Sequence, residues 1–146
     1  ITGVESSDEE LLKANLRRAY KKEDAYRRID LLEKSGVIVQ TNFIIGFSHE
    51  TEKSVLETIE YAKKLNSMFA TFHVFTPQPG TKIFENYRDR LIGVDWEDFT
   101  YANLVWQHDT LSKEFLDKVV SKAYSEYYFR PAWMLKHAGK LAKILF

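Results

Sequence analysis

The chain has 146 residues, 45% of them hydrophobic, with 21 basic and 21 acidic side chains that cancel to a net charge of zero, and no cysteine. This length buries one core, while a balanced charge leaves no global field to draw in nucleic acid or an anionic membrane. The lack of cysteine excludes disulfides, thiolate nucleophiles and cysteine-ligated metal; no apolar run reaches the roughly 18 residues that span a bilayer and no signal segment opens the sequence, so a cytoplasmic protein is the default expectation.

The opening ITGVES is strand-like and has no initiating Met, which reads as the later part of something longer. Ser7 and Glu10 have capping-box spacing, and Leu12, Leu16 and Tyr20 follow at helical intervals, predicting a helix over 8–19. Ala25, Ile29 and Leu32 form a second stripe that Ser35-Gly36 stops. The join between the two, RRAYKK, holds neither Gly nor Pro and leaves open whether they form one helix. Val37 to Ile45 is rich in β-branched residues and predicts a strand. Val55, Leu56, Ile59, Ala62 and Leu65 then predict a helix. Met68 to Phe75 is the next strand, ended by the prolines and glycine of TPQPGT.

Strand, helix, strand, helix, strand calls for an α/β fold of parallel strands joined by helical crossovers, half of a wound sheet or barrel. Past Gly93 the composition changes: Trp96, Phe99, Tyr101 and Trp106 crowd an irregular stretch. Ser112 caps a helix striped by Phe115, Leu116, Val119, Val120, Ala123, Tyr124 and Tyr127, Pro131 breaks it, and Met134, Ala138, Leu141 and Leu145 mark a last helix. Residues 1–92 thus form one part, and 93–146 an aromatic-rich helical extension.

Strand parity sets Gln40, Asn42 and Ile44 against Thr41, Phe43 and Ile45, and Thr71, His73 and Phe75 against Phe72 and Val74. A parallel strand covered on both faces is apolar on both. Gln40, Asn42, Thr71 and His73 therefore ask either for a polar ligand in a barrel lumen or for one another as partners. Gly46 and Gly80, just beyond their strands, allow close approach of a ligand to the backbone or serve only as turns.

Three blocks, GVESSDEELLKA, FIIGFSHETEKSVLETIEYAKKL and ATFHVFTPQPGTKIFE, together resemble the radical S-adenosylmethionine (SAM) enzymes that also carry a cobalamin-binding domain, in particular the anaerobic magnesium-protoporphyrin monomethyl ester oxidative cyclase group. YYFRPAWMLK is similar to the end of the same group. The resemblance implies the C-terminal portion of a partial (β/α)6 TIM-like barrel followed by a C-terminal helical extension. It places Glu5 or Ser6 at the cofactor ribose, Ile44 and Gly46 against adenine, and the backbone of Thr76 and Pro77 at the adenine edge. Gln40, Asn42, Thr71 and His73 then face the substrate cavity. Related proteins have Pro-Gly where this chain has Ser48-His49, which adds the His49 imidazole near that cavity.

The same resemblance implies SAM and a 4Fe-4S cluster as cofactors, with cobalamin as a further one. The cluster's three cysteines are expected upstream of Ile1, so these residues alone are expected to be inactive. The parent is expected to be an oxidoreductase or methyltransferase acting through a 5′-deoxyadenosyl radical on a small, tetrapyrrole-like molecule. Phe99, Tyr101, Trp106 and Trp133 read either as walls for a large planar molecule or, as aromatic residues at irregular spacing usually do, as core. The alternative is a self-contained interaction module with an exposed sheet edge and an aromatic tail. Strand edges near Ile1 and Met68 predict self-association. The basic pairs between Arg17 and Arg28 alternate with Glu23 and Asp24 and read as a solvated helix face, not a nucleic-acid surface. His49, His73, His108 and His137 lack metal-site spacing.

Overall fold

Thr2–Glu5 (β1), Gln40–Ile45 (β2) and Phe69–Val74 (β3) pair in the order β1-β2-β3, all parallel, in a computed structural model that describes residues 1–15, 17–18, 20–92 and 95–145. Glu9–Ala14 (α1) and Lys22–Lys34 (α2) lie between β1 and β2, and Glu52–Leu65 (α3) between β2 and β3. Lys82–Tyr87 (α4), Lys113–Tyr128 (α5) and Pro131–Leu145 (α6) follow. The α/β order expected from the sequence is therefore present; α4 is an addition, started by the Thr81 hydroxyl, which accepts from the Phe84 N–H. No helix among the described residues is long and apolar enough to cross a membrane.

Several boundaries differ from expectation for local reasons. Asp8, not Ser7, caps α1, its Oδ1 accepting the N–H groups of Glu10 and Leu11 at 2.9 and 3.0 Å. Ser7 instead sends its backbone N–H 3.2 Å to Thr58 Oγ1 on α3. The first two helices are separate: Asn15 Nδ2 donates to Leu11 O at 2.9 Å and reaches Ser48 O at 3.4 Å, side-chain bonds that compete with the next helical turn. Leu16 and Ala19 of the expected first helix, Gly93 where the expected extension begins, and the Leu145 side chain lie outside the described residues. The stop after α2 is as predicted: Gly36 has φ 86, its N–H bonds Glu33 O at 3.1 Å, and the Val37 N–H bonds Leu32 O at 3.0 Å. With Val37 held in that cap, β2 starts at Gln40 and not at Val37.

The two sheet faces differ as parity requires. Thr41, Phe43, Ile45, Ala70, Phe72 and Val74 are buried, while Gln40, Asn42, Ile44, Phe69, Thr71 and His73 are half-buried. On the covered face Phe43 and Phe72 stack at 5.4 Å and meet Tyr61 of α3 and Tyr124 and Tyr127 of α5. Burying such aromatic side chains supplies most of the driving force for the fold.

The expected open edge at β3 is covered. Tyr128 Oη accepts the Ala70 N–H at 2.9 Å and donates to Ala70 O at 2.8 Å. One helical turn earlier, Tyr124 Oη accepts the Phe72 N–H at 3.1 Å, and Tyr101 O accepts the Val74 N–H at 2.7 Å. Residues four apart on a helix lie above one another, as do residues two apart on one side of a strand, so two tyrosines match two ladder positions. The self-association expected through this edge loses its premise there.

At the opposite, N-terminal end of the sheet the tail grips the α3–β3 turn. Tyr127 Oη donates to Ser67 O at 2.6 Å, Trp133 Nε1 to the same carbonyl at 3.2 Å, and Arg130 Nη1 to Lys63 O at 2.6 Å. Trp133 is thus a clamp far from the strand ends and lines no ligand pocket beside them. Trp106 takes the core alternative: it is fully buried, with Nε1 donating to Phe75 O at 3.3 Å.

Candidate functional site at the strand ends

The C-terminal ends of parallel strands are where ligands bind in α/β folds, and each end here has unusual backbone. β1 loses register between Gly3 and Glu5, and Glu5 then takes φ 64. Such a left-handed conformation costs a non-glycine residue on the order of 1 kcal/mol, and strain of this kind gathers at functional sites. The Glu5 carboxylate is partly exposed and lies 3.4 Å from Arg17 Nε. Ser6, the alternative to Glu5 for the ribose, is buried; its hydroxyl accepts the Asp8 N–H at 3.1 Å and lies 3.3 Å from Thr58 Oγ1.

After β2, Gly46 has φ 88, a conformation that strains any other residue regardless of space. The buried Glu50 carboxylate holds this turn, Oε2 accepting the N–H groups of Gly46 at 2.6 Å and Phe47 at 3.1 Å. Burial pushes the Glu50 pKa up to about 7 against the pull of those two N–H groups, and the negative Asp8 adds to the rise. Its Oε1 has no partner among the described residues. Phe47 to Glu50 is a β-turn closed at 3.0 Å, with His49 at φ 67 in its third position. Positive φ there is the mark of a type II turn, which Pro-Gly suits and which Ser48-His49 here reproduces. His49 is exposed and makes no hydrogen bond among the described residues, so it stands apart from the polar strand residues. His108 fastens the same turn from outside, its Nε2 donating to Phe47 O at 2.8 Å while Nδ1 accepts from Thr110 and Leu111 N–H at 3.1 Å.

After β3, Thr76 and Pro77 are buried. Thr76 Oγ1 donates to Thr100 O at 2.7 Å, which ties the TPQPGT turn to the aromatic segment and leaves only its backbone to offer a ligand. A polar cavity of about 220 Å³ draws on the segments after all three strands, lined by Asn15, Ser48, Asn86, Tyr87 and Arg90. A larger groove of about 660 Å³ lies between α2 and α3, but lysines and glutamates of both signs line it and Glu5, Gly46 and Thr76 do not.

Gln40, Asn42, Thr71 and His73 do come together on the open face. Gln40 Nε2 donates to Asn42 Oδ1 at 3.1 Å, Thr71 Oγ1 donates to the same oxygen at 2.8 Å, and His73 Nε2 lies 3.1 Å from Thr71 Oγ1. Ile44 stands opposite His73 in register. The exposed Tyr101 ring meets the His73 ring edge to face at 5.6 Å. Burial lowers the His73 pKa from its ordinary value. Phe75, which strict alternation puts on this face, is buried instead against Phe47, Tyr87 and Trp106, because β3 ends at Val74.

Sequence reasoning missed Glu50, Asn15 and His108. For Glu50 a signal existed, an acid four residues after a strand-ending glycine, placed to cap the N–H groups that the turn leaves bare. A cluster held by three thiolates does not fit these residues, since the chain has no cysteine, and no group of three His, Asp or Glu that could hold a metal occurs among the described residues.

No family model matches the sequence. It is 30% identical, over 97% of its length, to an uncharacterized methyltransferase of Pyrococcus horikoshii. It is 28% identical over 74% of its length to the anaerobic magnesium-protoporphyrin IX monomethyl ester cyclase of Rubrivivax gelatinosus, and 28% over 94% to the bacteriochlorophyllide d C-12(1)-methyltransferase of Chlorobaculum tepidum. The chain spans 32%, 20% and 30% of those proteins, a third of their length or less. The resemblance to radical SAM enzymes noted from the three sequence blocks is shown by these relatives.

Proposed function

We propose that this chain, a relative of radical SAM enzymes, forms the adenosine side of a SAM site and part of the substrate lumen of a partial (β/α)6 barrel. One observation carries the reading: a parallel sheet with one face packed under helices and the other left half-open and lined by a bonded polar chain, Gln40, Asn42, Thr71 and His73. Sheets of this type are otherwise apolar on both faces. The relatives' printed names, a magnesium-protoporphyrin ester cyclase and a bacteriochlorophyllide methyltransferase, suggest a tetrapyrrole-like substrate.

In this reading Glu5, set apart by its strained backbone and partly exposed carboxylate, accepts the ribose hydroxyls, Ile44 and the Gly46 turn give adenine an apolar bed, and the Thr76-Pro77 backbone passes its edge. Ser6, with its hydroxyl already engaged, contributes shape. Glu50 and His108 hold the Gly46 turn rigid. A 4Fe-4S cluster on cysteines outside these 146 residues would supply the electron that divides SAM into methionine and a 5′-deoxyadenosyl radical, with cobalamin as a further cofactor for methyl transfer. The residues described orient the cofactor and shield it from water, and the protein's overall reaction is methyl transfer or oxidative ring closure.

Titrating the isotope-labelled chain with adenosine tests this. Amide shifts are expected at Glu5, Gly46 and Thr76, with the α5–α6 tail unmoved. Shifts confined to the α2–α3 groove would overturn the assignment.

A further inference from the structure

With the Gln40 and Asn42 amides turned as they are, the chain of hydrogen bonds on the open face runs in one direction. Asn42 Oδ1 accepts from both Gln40 Nε2 and Thr71 Oγ1. A hydroxyl has one proton, so Thr71 meets His73 Nε2, 3.1 Å away, with a lone pair, and the imidazole proton must sit on Nε2. Burial lowers the His73 pKa from its ordinary value and so favours the neutral ring. A neutral imidazole protonated on Nε2 carries a lone pair on Nδ1.

That nitrogen makes no hydrogen bond with the described residues. Nδ1, the ring nitrogen bonded to Cγ, is thus left as the bare acceptor of the half-buried His73 ring. The ring itself has Tyr101 edge to face and Ile44 opposite it in register. The bare nitrogen therefore belongs to a ring flanked by one aromatic and one aliphatic side chain. A carboxylate would meet lone pair with lone pair, and an alkyl group would leave the acceptor unsatisfied.

Resting on the lumen reading above, we infer that His73 Nδ1 selects and positions the substrate by accepting a hydrogen bond from a neutral O–H or N–H donor on its periphery. The Gln40–Asn42–Thr71 chain acts through His73 by fixing which nitrogen is bare. Discrimination of this kind is strong because a site built for a donor is left with an unpaired group by an analogue that lacks it.

Two metal-free porphyrins test the inference by fluorescence titration of the 146-residue chain: haematoporphyrin, with hydroxyethyl side chains, and mesoporphyrin, with ethyl groups at the same positions. Haematoporphyrin is expected to bind about tenfold more tightly, the worth of one neutral hydrogen bond. His73→Phe, which keeps an aromatic ring, is expected to abolish the preference. Asn42→Leu frees the Thr71 proton to donate to Nε2, so nitrogen NMR should show the His73 proton moved to Nδ1, with the preference lost while His73 is still present. Equal affinities in the unaltered chain, or a preference that survives in His73→Phe, overturn the inference and leave the tetrapyrrole reading standing. Binding of neither porphyrin overturns that reading and this inference with it.

Discussion

Tyr128 on α5 satisfies both backbone groups of Ala70 on β3 with a single hydroxyl, accepting the N–H at 2.9 Å and donating to the carbonyl at 2.8 Å. The hydroxyl takes the place of a neighbouring strand. Tyr128→Phe leaves both groups without a partner, at an expected cost of about 1–3 kcal/mol. Together with Tyr124→Phe it should expose a strand edge, so the double variant is expected to self-associate more strongly than the parent chain. Urea denaturation and sedimentation velocity measure the two effects.

Glu50 makes stability depend on pH. Its carboxyl is raised from an ordinary 4.5 to about 7, chiefly by burial, so between these values the folded chain holds a proton that the unfolded chain has released. Stability is therefore expected to fall as pH rises from about 4.5 to about 7 and to level off above that, by ~3 kcal/mol at ~1.4 kcal/mol per pH unit. Glu50→Gln should flatten this part of the profile; an unchanged slope in thermal melts across that range would assign the dependence to other groups.

His49 occupies a glycine conformation, with φ 67 in a turn closed by Glu50. His49→Gly relieves a left-handed penalty of on the order of 1 kcal/mol, partly offset by the greater freedom of unfolded glycine. A net gain of about 0.5 kcal/mol is expected from denaturant titration, and a loss would mean that the imidazole makes a stabilising contact.

Glu5 and Ser6 are neighbours with different exposure. Hydrogen bonds to a charged acceptor contribute on the order of 1.5–3 kcal/mol, so Glu5→Ala is expected to weaken SAM binding about tenfold to a hundredfold. Ser6→Ala should instead lower the melting temperature, because the Asp8 N–H and Thr58 hydroxyl lose a partner, while affinity stays near that of the parent. Calorimetry on both variants separates these roles.

Much of this architecture is local in origin and so can be read along the chain. The Ser35-Gly36 stop, the helix ahead of Leu65 and the alternation along β2 and β3 each depend on residues within a few positions of one another. The gathering of Gln40, Asn42, Thr71 and His73 on one face was legible because side-chain direction in a strand has period two. Cap choice was less so: Ser7 and Asp8 are both good capping residues, and contact with Thr58, 51 positions away, drew Ser7 off.

The sequence by itself determined the strand–helix alternation through β3, the parallel sheet and its two unlike faces, since periodicity and turn chemistry are properties of neighbouring residues. Only the tertiary structure decided that β3's edge is sealed by Tyr124 and Tyr128, that Trp133 clamps the far end, and that Glu50 is buried beneath the Gly46 turn. It also decided that His73 meets a hydroxyl already bonded to Asn42, 29 positions before Thr71 on another strand. Hydrogen bonds and burial of this kind join segments whose separation is set by packing, and no local pattern records which distant group will arrive.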